Sequence, residues 1–186
     1  MAKKTESIVR SWLTEEEYQL LFLAGKVYTL ELKKRAIEAP KFLDLMVKVF
    51  LTDEKKLCWH AGWVLFNIAE THKDLLEKYL PAIIEKLPEM NYDQQCHGAL
   101  RVIRYYDITD ETLQGILVDV GMDFIRLNKY PANLKYFSII IIEKIAKYYP
   151  EIKKELALTI EEVLPHWTTN YIVQLGKQKL KEYGVN

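Results

Sequence analysis

An all-α fold is what this sequence predicts: an α-α superhelix of about four helix pairs behind N-terminal capping helices. Three observations carry the expectation. Apolar residues recur at i, i+3, i+4 and i+7 along nearly the whole chain, and a clean alternation of period two is almost absent. Seven Gly and six Pro among 186 residues fall well below the roughly 12% of average usage, which leaves few tight turns. Alternate helices also repeat at a period close to forty residues, which turns a set of helices into a stack.

Taken in order, two helices are expected over Thr14–Lys26 and Tyr28–Glu38. The stripe Phe42, Leu45, Met46, Val49 follows Pro40, which suits a first helical turn. Leu57, Ala61, Val64, Leu65 and Ile68 form the next stripe, with Asp53 as its expected N-cap. Leu75 to Leu87 keeps helical phase across Pro81, so a kinked helix is expected there. Further stripes run over Ala99–Tyr106, Leu113–Phe124, Leu134–Tyr149, Ile152–Val163 and Ile172–Tyr183.

The repeat shows in four columns. Ala61, Ala99, Ser138 and Gly176 stand 38, 39 and 38 residues apart. Four positions after each come Leu65, Ile103, Ile142 and Leu180, and seven after each Ile68, Tyr106, Ile145 and Tyr183. Four before each stand Leu57, Gln95, Leu134 and Ile172, with Gln95 the polar exception. One helix pair cannot bury both its faces; stacked pairs build a continuous core, and a small residue lets neighbours approach. The expected organisation is one domain over 1–186, with capping helices over 1–38 and repeats at about 39–70, 71–108, 109–149 and 150–184.

These residues resemble HEAT repeats, paired antiparallel helices of roughly forty residues in the armadillo-type class. Asp53 with Leu57, Ala61, Leu65 and Ile68 is similar to the family's second-helix pattern, and Leu80-Pro81 to its first-helix Leu-Pro. The resemblance covers about residues 39 to 184. It departs where Cys58 and Cys96 replace the family's basic residue after the first apolar position. Ala61-Gly62-Trp63-Val64-Leu65, with Leu75-Leu76 and Tyr79-Leu80-Pro81, is also similar to small uncharacterised bacterial HEAT-like proteins, some of which have been called adenylosuccinate lyase. That lyase family is more than twice this length and carries a Ser-Ser-x-Met-Pro-x-Lys-x-Asn loop. Here the serines are Ser7, Ser11 and Ser138, none adjacent.

The resemblance implies that second helices line a concave surface. Helical angles then place Lys56, Trp59, Trp63, Phe66 and Glu70 opposite the core stripe, and the repeat carries that face to His97, Arg101, Arg104 and Tyr105, then to Tyr136, Ile140, Glu143 and Lys147. Gln174, Gln178 and Lys181 continue it. Trp59, Trp63, His97, Arg101, Arg104, Tyr105, Tyr136 and Lys147 are the candidate binding residues, an aromatic and charged ladder of the composition that serves recognition. The expected function is a non-catalytic scaffold that binds a protein partner there. The competing expectation for the tryptophans and Phe66 is that the N-terminal helices cover them. The alternative function is nucleic-acid binding or repair, by fold-level likeness to HEAT-like alkylpurine DNA glycosylases, with Glu143 as the acidic residue central on the face. A small-molecule enzyme is a third reading with no supporting motif.

Other chemistry is poorly provided for. Cys58-Trp59-His60 and Cys96-His97 cannot chelate on a helix, where neighbours diverge by about 100 degrees and residues two apart by about 200. Stacked helices about 8–10 Å apart put the two cysteines beyond disulfide reach, so two buried thiols are expected. His60, His72, His97 and His166 show no Ser or Asp at a motif spacing. Gly62, Gly98, Gly115 and Gly121 are isolated within helices, where close packing is the expected reason, and no phosphate loop is present. No cofactor, metal or catalytic residue is therefore expected. Balanced charge, 26 basic against 26 acidic side chains, removes the field that holds nucleic acid or anionic membrane. The runs Lys33-Lys34-Arg35 and Lys177, Lys179, Lys181 read as solvated helix faces. Glu15-Glu16-Glu17 interrupts any apolar leader, and the aliphatic run Ile139–Ile142 is bracketed by Lys135 and Glu143, so neither export nor a membrane span is expected. Two cysteines without a framework suit the cytoplasm, and polar end helices suit a monomer.

Overall fold

A computed structural model describes residues 8–23 and 25–185. The opening stretch 1–7, Ala24 and Asn186, which belong to the expected capping region and tail, lie outside the described residues. Among the described residues the regular elements are all helical. The chain divides into two compact units, one up to Tyr106 and one from Asp107.

The first unit opens with α1 (Glu15–Leu23) and α2 (Lys26–Glu38). Thr14 and Glu17 start α1 with a reciprocal capping pair: each backbone N–H donates to the other's side-chain oxygen. The stacked pairs follow, α3 (Pro40–Phe50) with α4 (Lys55–Thr71), then α5 (Leu80–Lys86) with α6 (Asp93–Ile103). Helix α4 is the centre of the unit: α1, α2, α3 and α6 all pack on it. Two expectations are corrected here. Glu54, not Asp53, caps α4, its carboxylate accepting from the Leu57 N–H. Pro81 does not kink a longer helix. Two short 3-10 turns, Lys73–Leu75 and Glu77–Tyr79, precede it, and α5 begins with Pro81 in its first turn, where a missing N–H costs nothing.

The second unit contains α7 (Glu111–Arg126), α8 (Ala132–Ile145), α9 (Pro150–Val163) and α10 (Asn170–Tyr183), paired α7 with α8 and α9 with α10. Its core joins Met122, Ile125, Ile139, Ile142, Leu156, Ile160, Val163, Trp167 and Ile172. The repeating columns lie inside both units. Ala61, Ala99, Ser138 and Gly176 are buried, as are Leu57, Gln95, Leu134 and Ile172. Of the outer columns only Leu180 and Tyr183, in the last helix, are half-exposed.

The polar exception Gln95 has a structural explanation. Its side-chain Nε2 donates to the carbonyls of Phe50 at 2.6 Å and Thr52 at 3.0 Å, serving the C-terminal end of α3, where intrahelical partners run out. Lys135 does the same in the second unit. It is 4% exposed, and its ammonium donates to the carbonyls of Phe124, Ile125 and Leu127, at the end of α7. A cation suits that end of the helix dipole. Burial pushes the Lys135 pKa down, but the three carbonyls keep the donor in use.

Glycines separate into two kinds. A Cβ on Gly62 would lie 3.0 Å from Phe50 and 3.7 Å from the Gly98 Cα, and one on Gly98 3.5 Å from the Gly62 Cα, so α4 and α6 approach backbone to backbone beneath the Phe50 ring. Gly121 and Gly176 are equally tight, against Ile142 and against Leu164 and Trp167. Gly115 corrects the packing expectation: it is exposed on α7, and a Cβ added there would meet nothing within 4 Å.

This division yields a paired test. Gly62→Ala overpacks a site whose neighbour, Phe50, is fully buried, and is expected to cost about 1–3 kcal/mol. Gly115→Ala only gains helix propensity and should add about 0.5–1 kcal/mol. Thermal midpoints moving in opposite directions would bear this out; equal shifts would refute it. In the second unit, Lys135→Met leaves three carbonyls without their donor and should lower stability by about 1–3 kcal/mol, measured by denaturant unfolding.

Candidate functional site

Helix α4 is enclosed on most of its circumference. Leu57, Cys58, His60, Ala61, Gly62, Val64, Leu65, Phe66, Ile68 and Ala69 are all buried. Facing outward is the strip Lys56, Trp59, Trp63 and Glu70, with Asn67 half-exposed between them. Two of those positions carry the largest apolar side chain available, and both are open to water: Trp59 is 40% and Trp63 42% exposed. Phe66, expected on the same strip, is instead buried at 7%, because guanidinium groups from α6 lie over it.

A groove of about 490 Å³ runs along this strip. One wall is Trp59, Trp63 and Asn67, at one-turn intervals on α4; the other is the start of α2, with Gly25, Lys26, Thr29 and Leu30. The N-terminal helices therefore flank the tryptophans without covering them. Leu30 is 47% exposed, and Leu23 and Val27, close to it in sequence, are more so. His60 forms part of the lining; its Nδ1–H donates to the Leu21 carbonyl at 2.7 Å, and burial lowers its pKa.

At the Trp63 end, α6 adds an aromatic and cationic cluster. The Arg101 guanidinium lies 3.3 Å from the Phe66 ring centre and 4.8 Å from that of Trp63. Arg104 reaches the Tyr105 ring at 4.7 Å and that of Phe66 at 5.6 Å, distances at which the ring quadrupole attracts a cation. Arg104 donates to the Tyr105 hydroxyl at 2.7 Å, and that hydroxyl donates to Glu70 at 3.3 Å. His97 stands one turn before Arg101. Burial, then the charges of Arg101 and Arg104, push its pKa down to about 4, so it is neutral at ordinary pH. Six of the predicted residues, Trp59, Trp63, His97, Arg101, Arg104 and Tyr105, thus fall on one face of the first unit.

Tyr136 and Lys147 belong to the second unit and are not brought together with each other. Tyr136 packs edge-on to Phe137 and Tyr171 beside the core. Lys147 lines a separate cleft of about 670 Å³ with Ile140, Lys144, Lys153 and Tyr183. Glu143 in that cleft is already engaged: Lys179 lies 3.0 Å away and the Tyr183 hydroxyl donates to it at 2.6 Å. Lys179 itself is half-buried, so within that run the expected solvated face holds for Lys177 and Lys181; in the earlier run Lys34 is exposed and Lys33 and Arg35 are half-exposed.

Sequence reasoning left out the α2 wall and the buried polar groups His60 and Lys135. Leu30, the apolar residue of that wall, lies outside the buried positions Leu32 and Ala36 of α2, and no repeat partner marks it in the sequence. The chemistry of the remaining groups is quiet. Cys58 and Cys96 are buried free thiols, both pushed up to about 12 by burial, with Glu54 and Asp93 adding to it; such thiols are poor nucleophiles. Among the described residues no group of His, Cys, Asp and Glu converges to hold a metal ion, and no helix is long and apolar enough to cross a membrane.

The depressed His97 pKa has a consequence for stability. Between about pH 6.5 and 4 the unfolded chain binds a proton that the folded chain does not, so stability is full above this window and falls as pH drops through it, at up to about 1.4 kcal/mol per pH unit. His97→Gln should flatten that part of the profile, read as the denaturation midpoint against pH; an unchanged slope would contradict it.

A comparison with curated proteins finds no match. The family model of the HEAT repeat domain matches residues 26–181, a span that takes in the α2 wall of the groove, the α4–α6 face and all but the last turn of α10. The paired helices, the buried small-residue columns and this match agree: the chain belongs to the HEAT repeat family.

Proposed function

We propose that this chain is a non-catalytic, monomeric HEAT-repeat scaffold, and that the face made by Trp59, Trp63, His97, Arg101, Arg104 and Tyr105 binds a protein partner. Tyr136 and Lys147, which the second unit does not bring together, are left out of this face. The observation that supports this most is the pair of half-exposed tryptophans on a helix otherwise largely closed to water. Exposing so much indole surface costs solvation free energy in the isolated chain, and tryptophan and arginine dominate the energetics of interface centres. Nucleic acid is the weaker reading, since net charge is zero.

The test is an affinity capture from native lysate with the wild-type chain beside Trp63→Ala and Arg101→Glu, each shown by circular dichroism to keep its helicity. One protein is expected to come down with the wild type and to be lost from both variants, corresponding to about 2 kcal/mol or more per anchor. Recovery of the same proteins with all three chains would refute the assignment. Binding of duplex DNA at low salt that Arg101→Glu abolishes would move the reading to nucleic acid.

A further inference from the structure

The groove beside Trp59 and Trp63 has a shape and a charge that together restrict what can lie in it. Its two walls are helices, α2 and α4, so it offers no strand edge to which another strand could be added, while the uncapped first turn of α2 presents N–H groups that have no intrahelical acceptor. Trp59, Trp63 and Asn67 are spaced over eight residues of α4, roughly 12 Å of helix, which is the length over which a bound helix presents anchors at i, i+4 and i+7.

The charge is predominantly positive, with the Glu70 carboxylate at the Trp63 end. Lys26 lines the groove, Lys56 precedes Trp59 by one turn, and Arg101 stands over the Trp63 ring. Among the described residues neither Lys26 nor Arg101 has a carboxylate within ion-pair distance. Glu70, the nearest acidic group on α4, accepts from Tyr105. Arg101 is partly desolvated on the faces of Phe66 and Trp63, and burial followed by the charge of Arg104 disfavours its charged form. A guanidinium keeps its charge in such surroundings, so a carboxylate brought beside it meets a positive charge that water screens poorly.

Resting on the reading of this face as a protein-binding site, we propose that its occupant is an amphipathic, acidic helix. Its apolar side chains, one turn apart, enter between the α2 wall and the tryptophans, and an Asp or Glu of the same segment pairs with Arg101, with a second acidic residue facing Lys26.

A displayed random-peptide library, panned on the full wild-type chain, tests this. The selected peptides should carry apolar residues at i, i+3 or i+4, and i+7 together with Asp or Glu. A synthetic peptide of the consensus should bind at least tenfold more weakly to Trp63→Ala. Replacing its acidic residue by Gln should weaken binding to the wild-type chain at least tenfold, a comparison that needs no protein variant. Arg101→Glu, with Arg101→Gln as the milder form, should lose the acidic peptide, and Arg101→Glu should regain affinity when the peptide's acidic residue becomes Lys. Selection of apolar or proline-rich peptides that depend on Trp63 but are indifferent to Arg101 would overturn the acidic helix and leave the scaffold reading standing. Selection of nothing that depends on Trp63, or binding of a labelled single-stranded oligonucleotide in place of peptide, would overturn both.

Discussion

The first unit depends on one close approach. Gly62 of α4 and Gly98 of α6 face each other backbone to backbone, and the Phe50 ring at the end of α3 closes over both, 3.0 Å and 3.3 Å from where their Cβ atoms would stand. Three helices are fixed by that single point. Because α4 is held between α3 and α6 there, and α1 and α2 pack on it as well, little of its circumference reaches water. The position of the strip bearing Trp59 and Trp63 is therefore a consequence of where the glycines stand. Gly62 directly precedes Trp63, about 100 degrees away around the helix, so the side that admits the neighbouring backbone sets the direction in which the indole points.

Apolar stripes alone would leave the helices free to slide, since burial is non-directional. In this chain the register is fixed by polar side chains that cross to carbonyls at the ends of neighbouring elements. Gln95 serves the end of α3, and the Tyr92 hydroxyl donates to Asp53 in the loop that follows it. Tyr106 reaches back to Lys73, and His60 to Leu21 at the end of α1. Lys135 closes α7. Gln95 and Lys135 serve carbonyls at helix ends, where intrahelical donors run out, and the buried donors Gln95, His60 and Lys135 would be left without a partner if the register shifted by a residue, which is a steep penalty for misalignment.

Fold class, helix pairing and the repeat columns were legible because they are periodic: burial of Ala61, Ala99 and Ser138 follows from spacing alone. The departures are all cases where a local feature had two meanings. Pro81 in helical phase fits a kink or a start, and only the 3-10 turns before it decide. Asp53 and Glu54 both precede α4, and backbone geometry selects the second. Gly115 and Gly62 look alike in sequence, since nothing local says whether a neighbour approaches. The site was legible to the extent that it follows helical angles, which place Trp59, Trp63, Arg101 and Tyr105 together. Phe66 lies at the edge of that arc, and its burial was decided by Arg101, on another helix. Lys135 is the extreme case: a charged residue reads as solvent-facing unless its partners, here backbone carbonyls of the preceding helix, can be seen.

The electrostatics of the α4–α6 face centre on the guanidinium groups of Arg101 and Arg104, with the neighbouring imidazole and thiols held uncharged near neutral pH. His97 is held neutral by burial beside Arg101 and Arg104, and the thiols of Cys58 and Cys96 are kept protonated. Glu70 is tied to Tyr105. The guanidinium groups remain, held on aromatic faces that stabilise a cation without supplying a counter-charge. Under the proposed reading, an acidic group arriving beside Arg101 meets a guanidinium already packed on the Phe66 and Trp63 rings, so less side-chain freedom is lost on binding. Neutral His97 limits the repulsion within the cluster: a third cation one turn away would add to that between Arg101 and Arg104, and burial holds the imidazole uncharged near neutral pH.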